Sequence, residues 1–307
     1  MPRLNKRRTV GHDAEEELRR RAARRFHPWT KHKLELLELY LKLFRRVAGG
    51  TYIDGFAGEG LATINGQEQF GSALVAAKTG SFRRLFFFER DDDLRAQLER
   101  NLGYYCGHRR LTACHVEPDP QLSDCNLGIP HLLGSGRVPL DEPCFAFLDP
   151  NSTQLAWSTI AALAAHRPLD LTEGNEQYKV ELWVLLNTHQ ALVRMWPRRE
   201  KLEDLPYSAA KLDHMFGDRE AWLPLWRDGA TLTALMTTYA LQLHRGLGYR
   251  FVNPIPMGTD PTKPPAYYMI HATDHPAGAS FMTWADANLL DPPLIADRPK
   301  LFDPPAP

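Results

Sequence analysis

Little in this chain of 307 residues points toward a metal, a membrane or a disulfide scaffold. Cysteine is scarce: Cys106, Cys114, Cys125 and Cys144 make four, and none form a C-x-x-C pair. That spacing argues against a zinc knuckle or a disulfide framework and suits a reduced, cytoplasmic protein. No apolar run approaches the ~18 residues of a membrane span, and the N-terminus is charged rather than signal-like. Neither sign of charge prevails, with 37 Lys and Arg against 37 Asp and Glu. No global field therefore favours nucleic acid or an anionic surface. No Gly-Lys-Ser/Thr occurs, which excludes a P-loop, and there is no internal repeat. Among the 12 histidines, His271 and His275 stand four apart, but a strand-to-helix junction is expected between them and no third ligand is near. No metal site is expected.

What is present is an ordinary globular composition, 43% hydrophobic and 24% charged, in a chain long enough for a full core. Residues 1–27 form a basic arm in which nine arginines and lysines, from Arg3 to Arg25, face four acids. Such a run reads as a solvated tail or as an arm for a polyanion such as nucleic acid. A helix follows, with Thr30 as its expected N-cap, Leu34, Leu37, Leu41 and Phe44 at helical spacing, and Gly49-Gly50 as its stop.

The chain then turns to short buried strands separated by helices. Thr51–Asp54, Leu85–Glu89, Leu111–Glu117, Cys144–Leu148 and Val180–Asn187 read as strands. Helices are expected at Ser72–Lys78, Asp91–Leu102, Trp157–His166, Thr231–His244 and His275–Leu289, with a turn-rich stretch over Leu61–Phe70. A polar helical insertion is expected over about 197–230. Tyr249–Ile255 and Tyr267–Thr273 are joined too closely for a crossover, so they form a hairpin that makes one edge strand antiparallel. The alternation is that of an α/β protein with a mostly parallel sheet. One domain spans 28–290, followed by a Pro-rich tail over 291–307.

The chemistry gathers at strand ends. Asp54-Gly55-Phe56-Ala57-Gly58-Glu59-Gly60 follows the first strand, Glu89 the second and Asp119 the third. In a parallel sheet these ends share one rim, where glycines admit a ligand close to the backbone. A carboxylate after the second strand is placed to bind a ribose diol, and Asp119 an adenine amino group. A nucleoside-containing cofactor follows. The Gly turn does not run straight into a helix, as a pyrophosphate site would require. S-adenosylmethionine, which carries no phosphate, therefore fits better than NAD.

Trp29-Thr30-Lys31-His32-Lys33, Tyr52-Ile53-Asp54-Gly55-Phe56-Ala57-Gly58, Gly71-Ser72, Phe87-Phe88-Glu89, Phe147-Leu148-Asp149-Pro150 and Tyr267-Tyr268-Met269-Ile270 resemble the three-Cys-motif partner protein (TcmP) family. The resemblance covers about residues 27–290. It implies a Rossmann-like class I methyltransferase fold, with seven strands, the last antiparallel, and helices on both faces. It also implies a bacterial or phage setting and association with a radical-S-adenosylmethionine-type three-Cys-motif protein. The expected cofactor contacts are Asp54, Gly55, Phe56, Ala57, Gly58, Gly60, Ser72, Glu89, Arg90 and Asp119, with Asp149 and Pro150 on the reacting side. Three positions depart from the family pattern: Glu59 and Ala73 stand where prolines are usual, and Asn151-Ser152 replaces an aromatic-glycine pair. The last removes the ring and second proline that amino-methylating enzymes use to hold a base. Trp157 and Trp29 are the candidate stacking faces in its place, although a helical tryptophan more often packs into a core.

Overall fold

The computed structural model describes residues 28–289, except 48, 65–66, 81, 107–112, 188–205, 258–264 and 266. The basic arm, the Pro-rich tail and the first part of the insertion lie outside the described residues. Helix α1 (Pro28–Val47) leads into β1 (Thr51–Asp54). A small antiparallel pair follows, β2 (Leu61–Ile64) and β3 (Gln67–Phe70), and then α2 (Ser72–Thr79), β4 (Arg84–Phe87), α3 (Asp92–Cys106) and β5 (Ala113–Val116). The second half carries α4 (Cys125–Gly134), β6 (Cys144–Leu148), α5 (Trp157–His166) and β7 (Glu181–Asn187). Next come α6 (Pro206–Phe216), α7 (Arg219–Arg227) and α8 (Leu232–Leu241), the last extended by a π-turn over Gln242–Gly246. The hairpin β8 (Phe251–Met257) and β9 (Tyr267–Thr273) and helix α9 (Pro276–Leu289) close the described chain.

Seven strands form one sheet in the order β5-β4-β1-β6-β7-β9-β8. The first five are parallel, and β9 runs against both β7 and β8. The hairpin expected from sequence is present, with its second strand slotted between β7 and the edge strand β8.

Alternation along each strand sends side chains into two layers. Tyr52, Phe87, Phe145, Phe147 and Trp183 face α1, α2, α3 and α9. Ile53, Ala146, Leu148, Leu182 and Val184 face α4 to α8. The first layer is aromatic: the Tyr52 and Phe145 rings stack 5.9 Å apart at 18°.

Three sequence expectations are corrected. Thr30 lies inside α1, whose first residue is Pro28, so it does not cap the helix. Leu61–Phe70 is a β-hairpin rather than loose turn, because its residues pair from Leu61↔Phe70 to Ile64↔Gln67. The described part of the insertion is amphipathic rather than polar: Leu212, Phe216 and Trp222 are fully buried in the core shared with α5 and α8.

Candidate functional site

The strand order reverses direction between β1 and β6, and a crevice of about 810 Å³ opens there at the carboxyl rim. Such a switch point is where open α/β sheets bind ligands. Its floor is the turn after β1. Gly55 N–H donates to Phe147 O, Ala57 N–H to Phe88 O, and Phe88 N–H to Asp54 O, so the turn is stitched to both neighbouring strand ends. Gly58 sits at φ +58° with open space where a side chain would stand, and Gly60 sits at φ +78° with its missing Cβ position 2.9 Å from Leu98. Both left-handed positions favour glycine. Asn101 of α3 donates to Glu59 O at 2.7 Å, and Gly71 N–H donates to Gly60 O at 2.8 Å, which ties the turn to the start of α2.

Glu89 lines the crevice and accepts Gly58 N–H at 3.0 Å and Asp91 N–H at 2.9 Å. Each of its oxygens thus takes one backbone proton and retains a lone pair for a ligand. Opposite lies the start of α4. Asp124 caps that helix by accepting Asn126 N–H at 2.9 Å, and Arg90 approaches its carboxylate at 3.7 Å. The Asn126 side chain binds Gln154 O, Ala156 N–H and the Thr159 hydroxyl, and so fixes the loop after Asp149.

Ten of the twelve expected residues line the crevice: Gly55, Phe56, Ala57, Gly58, Gly60, Ser72, Glu89, Arg90, Asp149 and Pro150. The other two do not. Asp54 is fully buried beneath the turn, where it accepts Phe56 N–H at 3.1 Å and the Tyr52 hydroxyl at 3.2 Å. Burial pushes its carboxyl up to about 7; the nearby charge of Asp149 adds to this, and hydrogen bonds from Ser72, Phe56 and Tyr52 oppose it. It shapes the turn from below. Asp119 is exposed outside the crevice and accepts Gln121 N–H, because the loop after β5 runs on for several residues before α4 begins. Ser123, Asp124, Cys125 and Asn126 form the wall in its place. Trp157 packs against Tyr239, 5.3 Å away, and is not part of the crevice. The Trp29 side chain lies outside what the structure describes.

Sequence reasoning gave no site role to Lys33, Asn187 or Tyr267, which surround Asp149. Lys33, 5% exposed, forms an ion pair with Asp149 Oδ2 across the mouth of the crevice. Asn187 at the end of β7 and Tyr267 at the start of β9 complete that wall, and Asn187 Nδ2 donates to Asn151 O at 3.3 Å. The signals were available: Lys33 and Tyr267 lie in two of the six motif blocks, and Asn187 is a polar residue ending an apolar strand. The Thr30 hydroxyl, buried on the same wall, has no hydrogen-bond partner among the described residues. No group of described histidines, cysteines and acids could hold a metal ion.

A mostly parallel seven-stranded sheet with one reversed strand beside the edge, helices on both faces and a crevice at the β1/β6 switch point define a Rossmann-like class I methyltransferase fold. No family model matches the sequence, and no curated protein matches it. Solved structures do. Trm1 from Pyrococcus horikoshii with S-adenosyl-L-methionine is 9% identical, with a TM-score of 0.43 over 84% of this chain and 58% of that one. The methyltransferase domain of bacterial CtHen1 is 13% identical, with a TM-score of 0.41 over 80% of this chain and 99% of that one. The plantazolicin methyltransferase BamL, in complex with a triazolic desmethylPZN analog and SAH, is 9% identical, with a TM-score of 0.40 over 86% of this chain and 91% of that one. Among the described residues no helix is long and apolar enough to cross a membrane.

Proposed function

We propose that this chain is a cytoplasmic, bacterial S-adenosylmethionine-dependent methyltransferase of the TcmP kind, acting with or beside a three-Cys-motif partner protein. The observation that carries the reading is the convergence, in one crevice, of a glycine turn, the Glu89 carboxylate and the Lys33–Asp149 pair. The donor set fits the cofactor. Glu89 has free acceptor capacity for a ribose diol, the α4 start offers Asp124 and Asn126 beside a base, and the chain leaves the turn into β2 rather than directly into a helix, as a pyrophosphate site would require. When bound, S-adenosylmethionine supplies a methyl group made electrophilic by its sulfonium.

The protein's part is positioning and exclusion of water. Gly55–Gly60 would hold the cofactor's backbone-facing side, and Glu89 its ribose. Lys33 takes Asp149 Oδ2, and Oδ1 has no protein partner among the described residues. That oxygen can accept a hydrogen bond or proton from an attacking group, and Asn187 and Tyr267 bound the same space.

A second reading is a non-catalytic methyltransferase-like subunit of the same partner. Asn151-Ser152 favours it, because the loop after Asp149-Pro150 lacks a ring to stack on a substrate. Calorimetry with S-adenosylmethionine, S-adenosylhomocysteine and NAD tests the assignment. Both sulfur ligands should bind the parent and NAD should not. Glu89→Ala should weaken S-adenosylmethionine about ten- to a hundredfold, since a hydrogen bond to a charged group contributes about 1.5–3 kcal/mol. Equal affinity in both proteins removes Glu89 from the site, and preferential binding of NAD overturns the cofactor.

A further inference from the structure

A second cavity, of about 420 Å³, opens at the opposite, amino-terminal rim, beside the residues that lead into β6 and β7. Its wall is largely hydrocarbon and ring: Tyr40, Leu43 and Phe44 of α1, Pro143, Tyr178 and Phe281. Arg167, only 4% exposed, lines it at the C-terminal end of α5.

Buried charges in proteins are paired or hydrogen-bonded, and buried Glu181 and partly buried Lys179 on this wall obey the rule. Glu181 accepts from Tyr40, His271 and Thr273. Lys179 reaches Asp274 at 3.5 Å and donates to Gly248 O at 2.8 Å. Arg167 differs. Its Nε donates to Leu140 O at 2.8 Å, and among the described residues no carboxylate lies within ion-pair distance of its guanidinium, Asp141 acting on it only from farther away. The two terminal nitrogens of a guanidinium form a planar fork that matches a carboxylate.

We propose that this cavity is a binding site for a small amphipathic monocarboxylate, whose carboxylate pairs with Arg167 and whose hydrocarbon part lies against the apolar wall formed by Phe44, Pro143 and Phe281. A single negative charge is preferred over a phosphate dianion. One guanidinium neutralises one charge, and Asp141 and Glu176 on the same wall repel a second.

The probes are octanoate and 4-phenylbutyrate, titrated calorimetrically into the full chain with and without saturating S-adenosylmethionine. At least one should bind in both conditions, while octanamide, which keeps the chain and loses the charge, binds at least tenfold more weakly. Arg167→Met should lose at least tenfold in carboxylate affinity. Should that variant fail to fold, Ala277→Trp decides, because it fills the cavity from an exposed wall position and leaves Arg167 in place. It should abolish binding. The proposal is overturned if neither acid binds the parent, if octanamide binds as well as octanoate, or if Ala277→Trp binds like the parent. Binding that S-adenosylmethionine blocks and that Ala277→Trp leaves unchanged overturns it too, by assigning the carboxylate to the first crevice.

Discussion

Replacing Asp54 by Asn should stabilise the fold, and by an amount that grows with pH. The carboxyl is fully buried, and burial raises it from an ordinary 3.8 to about 7. Because the folded-state value lies above the unfolded one, the folded chain holds a proton that the unfolded chain has released between those two pH values. The stability Asp54 contributes is therefore complete below about pH 4 and is lost as pH rises through about 7. The loss runs at about 1.4 kcal/mol per pH unit, or roughly 4 kcal/mol in all as an upper figure. Asn carries no charge at any pH. It retains a carbonyl oxygen for Phe56 N–H, and its amide can donate to the Tyr52 or Ser72 hydroxyl. Urea unfolding of both proteins from about pH 5 to pH 8 measures the difference. The Asn protein should gain about 2–3 kcal/mol on the parent between those limits, with the gain levelling off above about pH 7. A difference that stays constant with pH refutes the reasoning, since it would mean that Asp54 is already ionised in the fold at pH 5.

Four further outcomes are expected. Asp149→Asn should keep S-adenosylmethionine affinity within a few fold while single-turnover methyl transfer falls about 10²–10⁴-fold, and an unchanged rate removes the catalytic role. Lys33→Met and Asp149→Asn should each destabilise the protein by more than the ~1 kcal/mol of an exposed pair, and the double mutant by less than their sum; strict additivity in urea unfolding dissolves the pair. Gly128→Ala should cost about 1–3 kcal/mol in the same assay despite alanine's helix preference, because its Cβ would stand 2.0 Å from Leu122 O and 2.5 Å from the Phe88 ring. Removing residues 1–25 should flatten the salt dependence of binding to RNA or DNA and leave cofactor affinity unchanged, whereas a full-length chain with no salt-sensitive binding leaves the arm without that role.

The strands nearest the site were legible because buried parallel strands are apolar runs punctuated by one acid: Thr51–Asp54 and Cys144–Leu148 occupy the residues expected of them. The β2–β3 hairpin was legible too, had the Asn65-Gly66 pair been given its weight as a tight-turn signal between alternating residues. Asp119 failed for a different reason. Position after a strand places a residue on the rim, but the length of the following loop decides whether it faces in, and here the chain reaches the crevice only at Ser123. The Lys33–Asp149 pair joins positions 116 residues apart, and no local pattern encodes such a contact. The burial of Asp54 beneath its own turn likewise arises from packing of α2 and β4 around it, which periodicity does not reveal.

Helix α1, 20 residues long, contributes to both cavities. Thr30, Lys33 and Leu34 wall the crevice at one rim, and Tyr40, Leu43 and Phe44 wall the cavity at the other. Lys33 and Tyr40 are seven residues apart, about 10 Å along the axis. A single stiff rod is thus shared between two chambers on opposite ends of the sheet. A molecule that tilts or slides the rod at one end must do work against whatever occupies the other. Thermodynamic linkage then fixes the exchange as symmetric: the factor by which a guest in the far chamber changes affinity for one in the crevice equals the factor in the reverse direction.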